Sequence, residues 1–104
     1  MTITDQDLWW ATGYFDAKGS YHFKGAAIII VVTEKDREVL VKFNRILGHG
    51  WIRSIPSGKT RTNVLQVTAK ANVLDITLRF RPFVTRLALI RDMDRALADG
   101  RLRA

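Results

Sequence analysis

Chemistry in this chain has to be done with oxygen and nitrogen side chains. There is no cysteine, and the histidines are two, His22 and His49. That composition removes thiolate zinc sites, disulfide scaffolds, cysteine nucleophiles and histidine-rich metal sites, so any metal ion must be held by oxygen. The plentiful functional groups are cationic: seventeen Lys and Arg stand against ten Asp and Glu, a net charge of +7. From Val39 to Leu74 the chain carries Lys42, Arg45, Arg53, Lys59, Arg61 and Lys70 with no acid between them. Such an excess attracts polyanions. Lys24 and Arg53 have donors suited to guanine O6 and N7. Lys59 and Arg61 fall in a hairpin loop and suit phosphate contacts. Gln66 and Thr62 alternate onto one side of a strand-like segment and add polar contacts.

These residues need a folded frame, and 104 residues are enough for one domain, spanning 1–104. Apolar residues at 47% and aromatics at 10% exclude a disordered chain. The N-terminal segment is acidic and shows no secretory signal. The longest apolar run, Ala26 to Val32, has seven residues, whereas a membrane-spanning helix needs roughly 20. The expected setting is cytoplasmic or organellar, neither secreted nor in a membrane.

Thr4-Asp5-Gln6-Asp7 has the form of a helix cap, and Leu8, Trp9, Ala11, Thr12 and Phe15 give a helical face running to about Ala17. Ser20 to Lys24 and Ala26 to Val32, joined at Gly25, read as a hairpin. Thr33-Glu34-Lys35-Asp36 repeats the capping form before Val39, Leu40, Phe43, Ile46 and Leu47, and Gly48 ends that helix. Trp51 to Ile55 and Asn63 to Thr68 make a second hairpin across Pro56-Ser57-Gly58-Lys59. Ala69 to about Phe80 and Val84 to Ala98 are helical, divided by Arg81-Pro82, with Gly100 stopping the last helix before the basic tail of Arg101 and Arg103. The order is αββαββα, an α+β fold with an antiparallel four-stranded sheet and its helices on one face. The other face stays open, and the DNA major groove admits a two-stranded ribbon.

Ala11-Thr12-Gly13-Tyr14-Phe15-Asp16-Ala17-Lys18-Gly19-Ser20 resembles the motif for which the LAGLIDADG homing endonucleases are named. Val32 to Leu40 resembles the opening of that family's second helix, Ile46-Leu47-Gly48-His49-Gly50-Trp51-Ile52 its passage into the third strand, and Arg81-Pro82-Phe83-Val84-Thr85-Arg86 its late PxxTK stretch. The likeness spans nearly the whole chain in the family's order.

The resemblance implies double-stranded DNA as partner, Mg²⁺ as cofactor and metal-dependent, site-specific DNA cleavage. A single motif implies a homodimer through the first helix, with Thr12, Gly13, Asp16 and Ala17 at the interface. Gly13 and Ala17, small and one turn apart, permit close helix approach. Trp9 and Trp10 read as core or subunit-interface filler. Asp16, Glu34 and Arg86 match positions near the family's catalytic centre. Two roles stand open for Asp16, metal ligand or hydrogen-bond acceptor at the helix end. For Glu34 they are a displaced metal site with Asp16 or a helix-start acid favoured by the dipole. Arg86 is either a phosphate contact or a solvated arginine. His22 shares a strand face with Ser20 and Lys24 and would face DNA.

The chain departs from the family pattern twice. Lys18 stands where the motif has its metal-binding acid, and an ammonium group cannot ligate a hard cation. Ala27, Ile29 and Val31 are apolar on the face that would read bases, where they can touch thymine methyls but supply no hydrogen-bond code. The expected function is duplex binding by a homing-endonuclease-like homodimer with impaired cleavage. The alternatives are a non-catalytic DNA-binding protein or scaffold on the same fold, and an RNA-binding splicing helper.

Overall fold

Thr4 and Asp7 start the first helix by capping each other. The Asp7 amide donates to Thr4 Oγ1 at 3.1 Å, and the Thr4 amide donates to Asp7 Oδ2 at 3.0 Å. Helix α1 (Asp5–Lys18) ends at Gly19, where a Cβ would lie 2.6 Å from the Phe15 ring and 2.7 Å from the Phe15 carbonyl oxygen. Only glycine lets the chain leave the helix that close to its own last turn. It passes directly into β1 (Gly19–Lys24), then β2 (Ala27–Glu34), α2 (Arg37–Leu47), β3 (Trp51–Ser57), β4 (Thr60–Val67) and α3 (Lys70–Phe80). A 3-10 turn (Arg81–Phe83) and α4 (Leu87–Ala98) follow. The computed structural model describes residues 2–100 and Leu102, so Arg101 and Arg103 of the basic tail lie outside the described residues.

The four strands form one antiparallel sheet in the order β1-β2-β4-β3. Both hairpins pair as expected, and β2 joins β4 at the centre. Alternation then sorts the side chains. Tyr21, Ile28, Ile30, Val32, Leu65 and Val67 enter one core cluster with Ala11 and Phe15 of α1, Leu40 and Phe43 of α2, Val73 and Phe80 of α3, and Leu89 and Met93 of α4. Phe15 is its aromatic hub, with ring centroids 5.2 Å from Phe80, 6.3 Å from Phe43 and 6.4 Å from Tyr21. The helices therefore cover one face, and the opposite face is open.

Three boundaries differ from the sequence expectation, each for a tertiary reason. Thr33 and Glu34 belong to β2, because pairing with β4 continues to Glu34 opposite Asn63, whose side-chain amide donates to the Glu34 and Lys35 carbonyls. The cap of α2 is Asp36, whose Oδ1 accepts the Glu38 amide at 3.0 Å, so Glu34 is not a helix-start residue. Second, β3 and β4 pair out to Ser57 opposite Thr60, leaving Gly58 and Lys59 as the turn and Arg61 inside the strand. Pro56 fits because β3 is an edge strand whose outer side needs no donor. Third, Val84 to Arg86 are not helical. The amides of Thr85 and Arg86 are taken by Asp16, which holds this stretch extended until α4 begins at Leu87.

Candidate nucleic-acid interface and the end of the first helix

Alternation places Ser20, His22 and Lys24 of β1, Ile29, Val31 and Thr33 of β2, Val64 and Gln66 of β4, and Arg53 and Ile55 of β3 on the open face. His22, Lys24, Ile29, Val31, Thr33, Arg53, Ile55, Val64 and Gln66 line one shallow trough. Its middle is apolar. Val64 is buried yet lies outside the core cluster, and Ile29 and Val31 are half-buried, because β2 and β4 are central strands shielded by neighbours on both sides. The apolar run of β2 is thus used on both faces. Lys24 and Arg53 are exposed, and His22 stands 3.4 Å from Ser20 Oγ. Trp51, half-exposed on β3, has the Arg53 guanidinium 5.7 Å from its ring.

Not every basic candidate belongs to the trough. Lys59 is exposed at the tip of the second hairpin. Arg61 alternates onto the other side and donates to Ser54, from Nε to Oγ at 2.9 Å and from its terminal nitrogen to the carbonyl at 3.0 Å. Thr62 falls on the trough side by parity and lines a second hollow beside it.

That hollow lies at the C-terminal end of α1 and is lined by Lys18, Thr33, Glu34, Lys35 and Thr62. Thr33 lines both concavities, so they adjoin. Glu34 is its organising acid: Oε1 accepts the Tyr14 hydroxyl at 2.8 Å and Oε2 accepts the Asp36 amide at 3.2 Å. The Tyr14 hydrogen bond, aided by the Asp36 amide and the nearby Lys18 charge, holds the Glu34 carboxyl below its ordinary value. Desolvation, then the carboxylate beside it, raises the Tyr14 phenol well above its own. Lys18 Nζ stands 3.9 Å from Glu34 Oε1, its side chain 47% exposed against 16% for Glu34. Tyr14 was not among the sequence candidates, although it sits one helical turn before Lys18. Its ring is held by stacking on Trp10 at 5.1 Å, and the Lys42 ammonium lies 4.3 Å over Trp10.

Asp16 faces the other way. Its Oδ1 accepts the Thr85 amide at 3.0 Å and the Arg86 amide at 2.9 Å, and its Oδ2 accepts the Thr85 hydroxyl. The Thr85 hydroxyl chiefly, and then the two amides, hold its carboxyl below the ordinary aspartate value. The Arg86 guanidinium donates to the Gly19 carbonyl. Asp16 and Glu34 therefore serve separate networks, and among the described residues no three His, Cys, Asp or Glu gather where a metal ion could sit.

Along the outside of α1, Trp9, Gly13 and Ala17 are exposed at four-residue spacing, Trp9 by 77%. A Cβ added at Gly13 would meet nothing within 4 Å. Thr12 is half-buried and donates its hydroxyl to the Leu8 carbonyl at 2.7 Å. No helix is long and apolar enough to cross a membrane among the described residues.

A single antiparallel sheet with an open face, helices packed on the other, and a first helix running straight into the edge strand define the fold of the LAGLIDADG homing endonucleases. The chain superimposes on the archaeal intron-encoded homing endonuclease I-Vdi141I, solved in complex with DNA, with a TM-score of 0.70 and 20% identity over 92% of this chain and 71% of that one. It matches the homing endonuclease I-TnaI with a TM-score of 0.72 and 13% identity, over 94% and 71% of the two chains. The LAGLIDADG meganuclease I-AabMI, bound to uncleaved DNA, matches at 0.61 and 15% identity over 90% of this chain and 38% of that one. No protein-family model matches the sequence, and no curated protein does.

Proposed function

We propose that this chain binds double-stranded DNA along the open face of its sheet as a pair of copies joined through α1, with metal-dependent cleavage impaired by Lys18. The observation that carries the reading is the trough. An open antiparallel sheet face with Ile29, Val31, Val64 and Gln66 on its central strands and His22, Lys24 and Arg53 on its outer strands combines a ribbon the major groove admits with the charge of a phosphate-seeking surface. The fold supports it, since I-Vdi141I and I-AabMI were solved with DNA in this architecture. The cationic edge contributes affinity, Lys59 at the hairpin tip takes phosphate, and Lys24, Arg53 and Gln66 read base edges.

Pairing through α1 draws support from the exposed Trp9, Gly13 and Ala17 side of the helix, which offers apolar surface and close backbone approach. The family resemblance calls for Mg²⁺ at the end of α1, and the side chains there do not fit it. The acid is replaced by Lys18, and the two carboxylates that remain face separate networks, Glu34 toward Tyr14 and Asp36 and Asp16 toward Thr85 and Arg86, so they do not converge on one ion.

The test is selection of bound duplexes from a randomised library, with sequencing of new DNA ends in Mg²⁺ and sedimentation of the selected complex. Enrichment of a pseudo-palindromic site, two chains per duplex and no new ends are expected. Absence of any duplex retention at low salt would refute the reading. Cutting by the unaltered chain would refute the impairment.

A further inference from the structure

The C-terminal end of a helix carries partial negative charge and favours a cation. At the end of α1 that cation is Lys18, in the last turn. Glu34 faces it, but Glu34 is already committed to the Tyr14 hydroxyl through Oε1 and to the Asp36 amide through Oε2. The ammonium is left at 3.9 Å, beyond hydrogen-bond distance, with nearly half of its side chain in solvent. It is positioned by a charge without being saturated by it, so its three donors remain available. Lys35 lines the same hollow as a second basic residue, with Thr33 and Thr62 beside it. The hollow opens beside the trough, sharing Thr33, where a strand following the sheet would place its backbone.

We propose that this hollow is a phosphodiester-binding site that works without a divalent cation. Lys18, held in place by Glu34, supplies the positive charge as part of the chain, and Lys18 and Lys35 together take the non-bridging oxygens of one DNA phosphate. Glu34 is the positioning residue: it neutralises part of the local charge and fixes the ammonium at the rim. The proposal rests on duplex binding by the neighbouring trough and assigns the ligand of a separate hollow.

Two measurements test it on the full chain. The first needs no DNA: Mn²⁺ is titrated at equimolar protein and followed by electron paramagnetic resonance. The original chain should leave Mn²⁺ free, whereas Lys18→Glu, which puts two carboxylates together, should capture one ion per chain. Stoichiometric capture by the original chain would overturn the proposal. The second compares duplex affinity in Mg²⁺ and in EDTA at constant ionic strength, for the original chain, Lys18→Met and Lys18→Glu. The original chain should bind equally in both, and Lys18→Glu should bind more weakly in EDTA and recover in Mg²⁺. Lys18→Met, which keeps the aliphatic stem, should reduce the slope of log affinity against log salt by about one unit per chain. An unchanged slope with Lys18→Met, or an original chain that needs Mg²⁺ to bind, would overturn the proposal. If no variant binds duplex at all, the function proposed for the trough fails with this site's ligand, while the Mn²⁺ titration still decides the metal question.

Discussion

Asp16 offers the sharpest separation of structure from chemistry, because the two roles open to it predict stability changes of opposite sign. Its carboxylate accepts two amides and a hydroxyl from Thr85 and Arg86, fastening the last turn of α1 to the start of α4. A helix-capping acceptor is worth ~1 kcal/mol and charge-assisted bonds somewhat more, while water replaces part of the loss at this half-exposed site. Against this stands the helix dipole, which disfavours an acid in the last turn by about 0.3–1 kcal/mol. The hydrogen bonds win, so Asp16→Ala should destabilise by about 2 kcal/mol, or roughly 10 °C in Tm for a chain of this size. Asp16→Asn, keeping one acceptor, should cost about half as much. Urea denaturation followed by circular dichroism measures both, and a double-mutant cycle with Thr85→Val should give a positive coupling between the two positions. An Asp16→Asn chain more stable than the original would refute this account, since relief of a strained, unpaired carboxylate is what a vacant ligand position would produce.

Acid sensitivity follows from the same bonds. Asp16, Glu34 and Asp75 are all held below their ordinary values, Asp75 by Arg79 and then His49. The unfolded chain therefore takes up protons first as pH falls. Stability should be constant from neutrality to about pH 5 and decline below it, with a smaller decline in Asp16→Asn; urea midpoints across pH check this, and a midpoint rising toward pH 3 would contradict it. At Gly13 there is open space, so Gly13→Ala should stabilise the isolated chain by up to about 1 kcal/mol. Gly13→Leu should keep the fold and abolish pairing through α1, and sedimentation showing an undiminished dimer would exclude that interface. Replacing thymine by deoxyuridine throughout the selected duplex removes the methyls that Ile29 and Val31 would meet. Each buried methyl should cost ~0.8 kcal/mol, about fourfold in affinity, and equal binding of the two duplexes would remove thymine contact from the trough.

Much of the frame is written locally. Thr4 and Asp7 sit three apart and cap each other, Leu40, Phe43, Ile46 and Leu47 recur at helical spacing and are buried, and Ser20, His22 and Lys24 alternate to the open side. Local chemistry also shows that Lys18 cannot stand in for a metal-binding acid. What local chemistry misses are contacts closed by distant segments. Nothing local marks Val84 to Arg86 off from the helix that follows, but Asp16, about seventy positions earlier, takes the Thr85 and Arg86 amides and holds the stretch extended. Thr33 and Glu34 look like a cap until β4 arrives to extend β2 past them.

The same division holds for function. Sequence alone determined the charge, the absence of soft metal ligands, the order of elements and the side of each strand that side chains occupy, since all of these follow from composition or from periods of 2 and 3.6. Tertiary structure alone decided that β2 and β4 meet at the centre, so that their outward Ile29, Val31 and Val64 form an apolar floor between cationic sides. It also decided that Asp16 and Glu34, both near the end of α1, face separate partners and leave Lys18 with free donors at the trough's edge. Those outcomes depend on which segments become neighbours when the core closes around Phe15, and no stretch of chain carries that information by itself.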